Sequence, residues 1–487
     1  MTTPIVDFVA RYAQSGTSRL HMPGHKGQSF LGFEGFDITE IKGADELYEA
    51  EGIIAQSEAN ATKLFGTAHT YYSTEGSSQC IRAMLFLALQ AAPKTGERPV
   101  LLAARNAHKA LLYAAALLDF DIRWLWAAPE EAGALCSCPV HPDVLKTALD
   151  ALDREGKNPF GVYVTSPDYL GGMQDVAALS AVCKTAGVPL LVDNAHGAYL
   201  RFLPGGRHPI ELGAAMCCDS GHKTLPVLTG GAYLHLGQNA PIQDESAVRN
   251  ALNLFGSTSP SYLILQSLDR CNRYLSEGYP IRLMQCIREL RLLRQELNEL
   301  AEHAGAARKF ALDGGELDPL REPLKLTLDA SALRMTGTQL AEELRKNGIE
   351  CEYADPRYLV LMFTPENPPQ DYERLETAVR TLCESLSDRE ELPADDEAAC
   401  AAEFTALQAQ AATRCTIRQA VFAPQERVRC ADALDRVCAM PAVSCPPAIP
   451  IAVSGEVITP AALKLFARYG VETVAVVRDR SDDVISE

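Results

Sequence analysis

Between Tyr71 and His235 the chain alternates short apolar runs with stretches of helical period. The runs PVLLAA (99–104), FGVYVT (160–165) and VPLLV (188–192) are nearly continuous in apolar residues, as in strands buried on both faces. Between them, residues 78–92, 107–118, 142–155 and 176–186 read as helices. This strand–helix rhythm predicts a mostly parallel sheet covered by helices, in which ligands bind beyond the C-terminal ends of the strands. Polar clusters sit at those ends.

After Tyr262 the pattern changes. Residues 267–303, rich in Leu, Arg and Glu, predict long helices interrupted near Gly278 and Pro280. LKLTL (324–328) and YLVLMF (358–363) read as strands; 338–347, stopped by Gly348, and 372–386 read as helices. Together they predict a small α+β domain. Residues 387–397 carry Pro393 and six acidic residues, which predicts a solvated linker. The 487 residues suit roughly three domains. The expected boundaries are an arm (1–30), a large domain (31–265), the small domain (266–386), the linker (387–400) and a C-terminal α+β domain (401–487).

Charge and cysteine usage narrow the classes. A net charge of −18 argues against nucleic acid as the main partner, because phosphate binding needs clustered Lys and Arg. The fifteen cysteines form no pair of CxxC knuckles, so no structural zinc site is expected, and reduced, mostly buried thiols are. The opening MTTPIVDFVARYAQSG lacks the basic and apolar regions of a signal peptide. The longest uncharged apolar stretch, 110–118, is far short of the ~20 residues that span a bilayer. These readings predict a cytoplasmic protein with no membrane partner and no metal.

The candidate chemistry centres on DSGHKT (219–224), where Lys223 follows a short apolar segment and precedes the Gly230-Gly231 pair. Thirty positions before Lys223, Asp193 ends a hydrophobic strand in VDNAHG (192–197). A carboxylate there is costly unless it meets a partner, and it suits a pyridine nitrogen that must stay protonated. STEGSS (73–78) precedes a helix, where free N–H groups and the helix dipole favour an anion such as phosphate. RNAHK (105–109) and TSPDY (165–169) are further polar strand ends, and His108 is placed to lie flat on a cofactor ring.

In this order the motifs resemble the Orn/Lys/Arg decarboxylase family of fold-type-I pyridoxal-phosphate enzymes, in its short form. The resemblance is carried by HMPGHKG (21–27), DITE (37–40), GTAHTYYSTEGSS (66–78), RNAHK, TSPDYLGGMQDV (165–176), VDNAHGAY (192–199), DSGHK and STSPSY (257–262), and near the end by PPAIPIAVSGEVIT (446–459). It implies an α/β, aspartate-aminotransferase-like large domain with pyridoxal 5'-phosphate as cofactor. It also implies roles. Lys223 would carry the cofactor as a Schiff base, Asp193 would pair with the pyridinium, and His108 would stack on the ring. Gly76, Ser77, Ser78 and Ser220 would hold the phosphate, and His196 and His222 would flank ring and substrate. Thr258 and Ser259 would reach a cofactor, that of a neighbouring subunit if the chain forms the homodimer or larger homo-oligomer usual for this fold.

The implied activity is decarboxylation of arginine, lysine or ornithine to the amine and CO2, in polyamine-related metabolism. An aminotransferase or lyase with the same cofactor, and a catalytically silent pyridoxal-binding protein, are the alternatives. The chain departs from the family pattern at Glu75 (commonly Asn), Ala110 (usually Ser), Cys445 (Tyr) and Ala448 (Gly). The substrate's distal cation needs a carboxylate once it leaves water. Glu456, in SGEVIT, and Glu75 are the two expected to supply it, with Glu456 preferred.

Overall fold

The computed structural model describes residues 1–131, 134–315, 318–390, 396–444 and 449–478. Its main sheet has seven strands: β1 (His69–Ser73), β2 (Val100–Ala104), β3 (Asp121–Leu125), β4 (Gly161–Thr165), β5 (Leu190–Asp193), β6 (Met216–Asp219) and β7 (Ala232–Leu236). Their order is β1-β7-β6-β5-β4-β2-β3. β5 runs parallel to β4 and β6, and β2 runs parallel to β3. β7 is antiparallel to both its neighbours, β1 and β6. The apolar runs expected as strands are β2, β4 and β5, and every residue of β2 and β5 is buried.

The four expected helices are present as Ser77–Ala91, Lys109–Leu118, Pro142–Arg154 and Val176–Ala186. The last shows why such a segment is helical. Asp175 caps its start by accepting from Ala178 N at 3.0 Å, and Gly187, at φ +69°, ends it.

The chain divides into two compact units. The first comprises Met1–Thr95, Pro159–Ser166 and Asp175–Gln285. Its N-terminal helix Pro4–Gln14 is anchored by Asp269, whose Oδ2 accepts from Ile5 N at 2.9 Å and Val6 N at 3.0 Å. HMPGHKG and DITE meet through His25 and Asp37, 3.2 Å apart.

The second unit comprises Gly96–Asn158, Pro167–Gln174 and Cys286–Glu487. It holds a three-stranded antiparallel sheet of Lys325–Asp329, Tyr358–Met362 and Tyr353–Ala354, with helices Gly337–Lys346 and Pro369–Glu384. Two strand pairs, Gln425–Arg429 with Thr473–Val477 and Ala442–Ser444 with Ile449–Ala452, accompany the helix Pro460–Arg468. Ile451, Ile458, Leu465, Phe466, Val474 and Val476 form their buried apolar cluster.

The expected linker differs in part. A helix, Asp396–Gln410, begins inside it, because acidic residues suit a helix's first turn as well as they suit solvent. Residues 391–395, with Pro393, and the departures Cys445 and Ala448 lie outside the described residues. No disulfide joins the described cysteines. Among the described residues no helix is long and apolar enough to cross a membrane.

Candidate active site

Lys223 lies in the short helix Gly221–Thr224, immediately after β6. Its Nζ is 3.0 Å from His196 Nε2, across the loop that follows β5. An ammonium on Lys223 donates, so it requires His196 Nε2 to accept. The next residue back, His222, hydrogen-bonds through Nδ1 to the Gly231 carbonyl at 3.0 Å. A carbonyl only accepts, so Nδ1 carries the proton, and a neutral His222 keeps Nε2 as the acceptor. Burial and the neighbouring Lys223 charge hold the His222 pKa below the ordinary imidazole value, although the Gly231 contact opposes them.

Asp193 ends β5 with only 3% of its surface exposed. Its Oδ2 accepts from Tyr163 Oη at 2.9 Å and its Oδ1 from Ala195 N at 3.2 Å. A glycine is required at 197, because a Cβ there would collide with the Asn194 side-chain oxygen.

The phosphate-like cradle forms at the start of the helix Ser77–Ala91. Gly76, at φ +70°, takes a backbone conformation that other residues rarely adopt, and space for a Cβ there is empty. Ser77 and Ser78 occupy the first helical positions, whose N–H groups have no acceptor within the helix. Ser220 Oγ donates to Ser77 Oγ at 2.9 Å, so the loops before Lys223 and before this helix meet through hydroxyls. Glu75, next to Gly76, is exposed. The first unit therefore brings together Lys223 with His196, and Ser220 with Ser77. Thr258 and Ser259 are also in this unit and are exposed.

His108 and Glu456 belong to the second unit. His108 caps the helix Lys109–Leu118, its Nδ1 accepting from Ala110 N at 3.2 Å. Glu456 differs from expectation. Its Oε2 accepts from Arg105 Nη2 at 2.9 Å, and both side chains are 9% exposed. A buried carboxylate already matched by a guanidinium has no charge left over for a substrate cation.

A family model described as the Orn/Lys/Arg decarboxylase major domain matches residues 3–370. Arginine decarboxylase of Bacillus subtilis is 27% identical over 479 residues, covering 94% of this chain and 91% of that one. Arginine decarboxylase of Bacillus anthracis is 26% identical over 471 residues, with 94% and 91% covered. The crystal structure of the Francisella novicida lysine decarboxylase LdcF superposes with a TM-score of 0.78 at 17% identity, covering 98% of this chain and 81% of that one. The chain belongs to the Orn/Lys/Arg decarboxylase family. It is a pyridoxal-phosphate-dependent amino-acid decarboxylase with the fold-type-I architecture.

Sequence reasoning missed one cluster of this decarboxylase. Asp219, at the end of β6, is fully buried. Its Oδ2 accepts from His208 Nε2 at 3.1 Å and from His235 Nε2 at 3.2 Å, and its Oδ1 accepts from Asn194 Nδ2 at 2.7 Å. Burial alone would raise the Asp219 pKa, but the two imidazoles override it and hold it well below the carboxylate range. The available signal was His235 inside the apolar strand AYLHL: a buried imidazole needs a partner, and an unassigned strand-end Asp was at hand. Through Asn194 the cluster joins the turn after Asp193 to the strand that leads into Lys223.

Proposed function

We propose that this chain decarboxylates arginine to the corresponding amine and CO2, as a step in polyamine-related metabolism. The observation that carries the chemistry is Lys223 Nζ beside His196, with the buried Asp193 carboxylate ending the adjacent strand. The choice of arginine rests on likeness to arginine decarboxylases over more than nine-tenths of both chains. By contrast, lysine decarboxylase LdcA of Pseudomonas aeruginosa matches over 54% of this chain.

The residues present fit pyridoxal phosphate. Lys223 would hold it covalently, and Ser77, Ser78, Gly76 and Ser220 would hold its phosphate at the helix start. Asp193 accepts from a phenol, one amide and the Cys218 thiol and, among the described residues, is paired with no cation, which leaves it to a protonated ring nitrogen. His108 would lie on the ring face. When bound, the cofactor supplies the electron sink for the pair left at Cα as CO2 departs.

The chain's own residues manage protons. Tyr163 and Ala195 N hold the Asp193 carboxylate in a fixed orientation. His196 Nε2, in contact with Lys223 Nζ, takes a proton from the lysine or returns one to it. His222, kept neutral by burial, adds no competing positive charge beside Lys223. Exposed Thr258 would meet the cofactor of a second copy, so a homodimer or larger homo-oligomer is part of this reading.

Incubation with arginine, lysine and ornithine, each with pyridoxal phosphate, should yield amine and CO2 fastest from arginine. A keto acid as main product would replace decarboxylation by amino transfer. Borohydride reduction followed by peptide mapping should place the cofactor on Lys223; label on another lysine would displace that assignment.

A further inference from the structure

The chain has two tryptophans, and both stack on one guanidinium. The Arg105 Cζ lies 4.9 Å from the ring centroid of Trp124 and 5.0 Å from that of Trp126. Nη2 of the same arginine donates to Glu456 Oε2 at 2.9 Å and to the Ile451 carbonyl at 3.1 Å. Glu456 Oε2 is itself fixed by Val453 N at 2.9 Å. Nε and Nη1 of Arg105 are buried without a hydrogen-bond partner among the described residues. The indole faces replace the missing acceptors, as they do for a desolvated cation held over a π surface. All of these residues lie in the second unit.

Arg105 is also the first residue after β2, and its N–H donates to the Leu125 carbonyl at 3.0 Å. Three residues on, His108 caps the helix Lys109–Leu118. Between them, Asn106 Nδ2 donates to the Cys136 carbonyl at 3.2 Å. The turn that presents His108 is therefore held at its start by a guanidinium whose own position is set from the C-terminal segment.

From this geometry we infer that Glu456 is a positioning residue: through Arg105, clamped between Trp124 and Trp126, it fixes the turn bearing His108, and it does not touch the substrate. The inference deepens the functional reading above and rests on it for the role of His108. It replaces the sequence-based expectation that Glu456 receives the substrate's cation. A carboxylate with one oxygen on a buried guanidinium and a backbone amide is built to hold the chain's own parts in place.

The test uses the full chain and two variants. Glu456→Gln keeps an acceptor for Arg105 and removes the charge. Arg105→Lys keeps the charge and removes the planar fork and its stacking on both indoles. Misplaced groups near a reacting centre cost up to about 100-fold in rate, so each variant should lower kcat for arginine about tenfold and leave KM within about twofold. Tryptophan emission reports on this cluster alone, since the chain has no other tryptophan. Before pyridoxal phosphate is added, both variants should show red-shifted emission and greater acrylamide quenching than the unmodified chain.

Three results overturn the inference. A rise in KM with unchanged kcat in Glu456→Gln would make Glu456 a substrate contact. A lowered Tm with normal kcat and KM would make the cluster a brace with no bearing on His108. Unchanged emission and quenching in both variants would show that Glu456 does not hold Arg105 against the indoles. That last measurement needs no activity, so it decides the clamp even if the unmodified chain decarboxylates none of the three amino acids, a result that would sink the functional reading separately.

Discussion

Asp193 and Asp219 end neighbouring parallel strands and are both buried, yet their surroundings are opposite. Asp219 is saturated: two imidazoles and an amide point at its oxygens, and the two imidazoles hold its pKa low against burial. Asp193 accepts from one phenol, one backbone amide and, at 3.7 Å, the Cys218 thiol, and no cation of its own unit is paired with it. A buried carboxylate that the fold completes is structural. Asp193 is not completed in this way, and under the proposed function its partner would be the cofactor's ring nitrogen. The contrast separates the two acids by what surrounds them, where their sequence positions look alike.

The largest effect expected from this contrast is on stability. Asp219→Ala strands the donors of His208, His235 and Asn194 in the core and should cost on the order of 3–5 kcal/mol. Urea denaturation monitored by circular dichroism measures it. A loss below about 1 kcal/mol would mean that the cluster is replaceable and the comparison wrong.

Asp193→Asn should do the reverse. Asn retains an acceptor for Tyr163, so stability should move by less than about 1 kcal/mol. The rate should suffer, since a neutral amide does not hold a ring nitrogen's proton: kcat should fall by about 100- to 1000-fold. Near-normal kcat would place Asp193 among turn residues.

A third buried carboxylate sharpens the rule. Asp269 accepts from Ile5 N, Val6 N and Ser57 Oγ but, among the described residues, pairs with no cation. Burial pushes its pKa up to about 6, against the Ser57, Val6 and Ile5 hydrogen bonds. Hydrogen bonds without a cation therefore do not offset burial here, whereas the imidazoles around Asp219 do. Because the folded pKa lies above the ordinary 3.8, the native state binds this proton more tightly than the unfolded chain does. The associated stability is fully present below about pH 4 and is lost as pH rises through about 6, a change of about 3 kcal/mol for a two-unit shift. Glu58, raised by burial to about 6 despite Arg249 at 2.8 Å, acts with the same sign. Denaturant titrations at about pH 4 and pH 7 should show a smaller drop for Asp269→Asn than for the unmodified chain. An equal drop would assign the whole effect elsewhere.

These clusters also mark what was readable in advance. Val176–Ala186 was legible to the residue because cap, periodicity and terminal glycine agree. The continuous apolar runs of β2, β4 and β5 were legible for the same reason. β3 (DIRWL) and β1 (HTYYS) were not, since an edge strand exposes polar side chains and an antiparallel strand of aromatics and hydroxyls lacks an apolar run. The placement of Lys223 and Asp193 at strand ends, and of Ser77 and Ser78 at a helix start, was legible from the motifs. His208 was hidden in GGRHPIEL, because its partner Asp219 is eleven residues away and only the fold joins them. The partner of Glu456 was illegible, because Arg105 lies 351 positions earlier.

Glu75 carries the smallest effect and tests the comparison from its exposed side. With Glu456 matched by Arg105, Glu75 is the remaining expected carboxylate for the substrate's guanidinium, and among the described residues it forms no ion pair. It is exposed, so water screens whatever pair it makes, and exposed pairs are worth at most about 1 kcal/mol. Glu75→Gln should therefore raise KM for arginine no more than about fivefold and leave kcat unchanged. Removing a negative charge beside Gly76 should at the same time strengthen phosphate binding, so the affinity for pyridoxal phosphate should rise slightly. Both changes are Coulombic and exposed, and both should shrink as ionic strength rises towards 1 M, where the screening length is about 3 Å. Steady-state kinetics at low and high salt, with a cofactor titration alongside, separate the outcomes. A KM effect that survives high salt would show a desolvated pair and move Glu75 into the enclosed class with Asp219. A KM indifferent to the substitution at low salt would remove Glu75 from the substrate and leave arginine recognition to residues outside both expected acids.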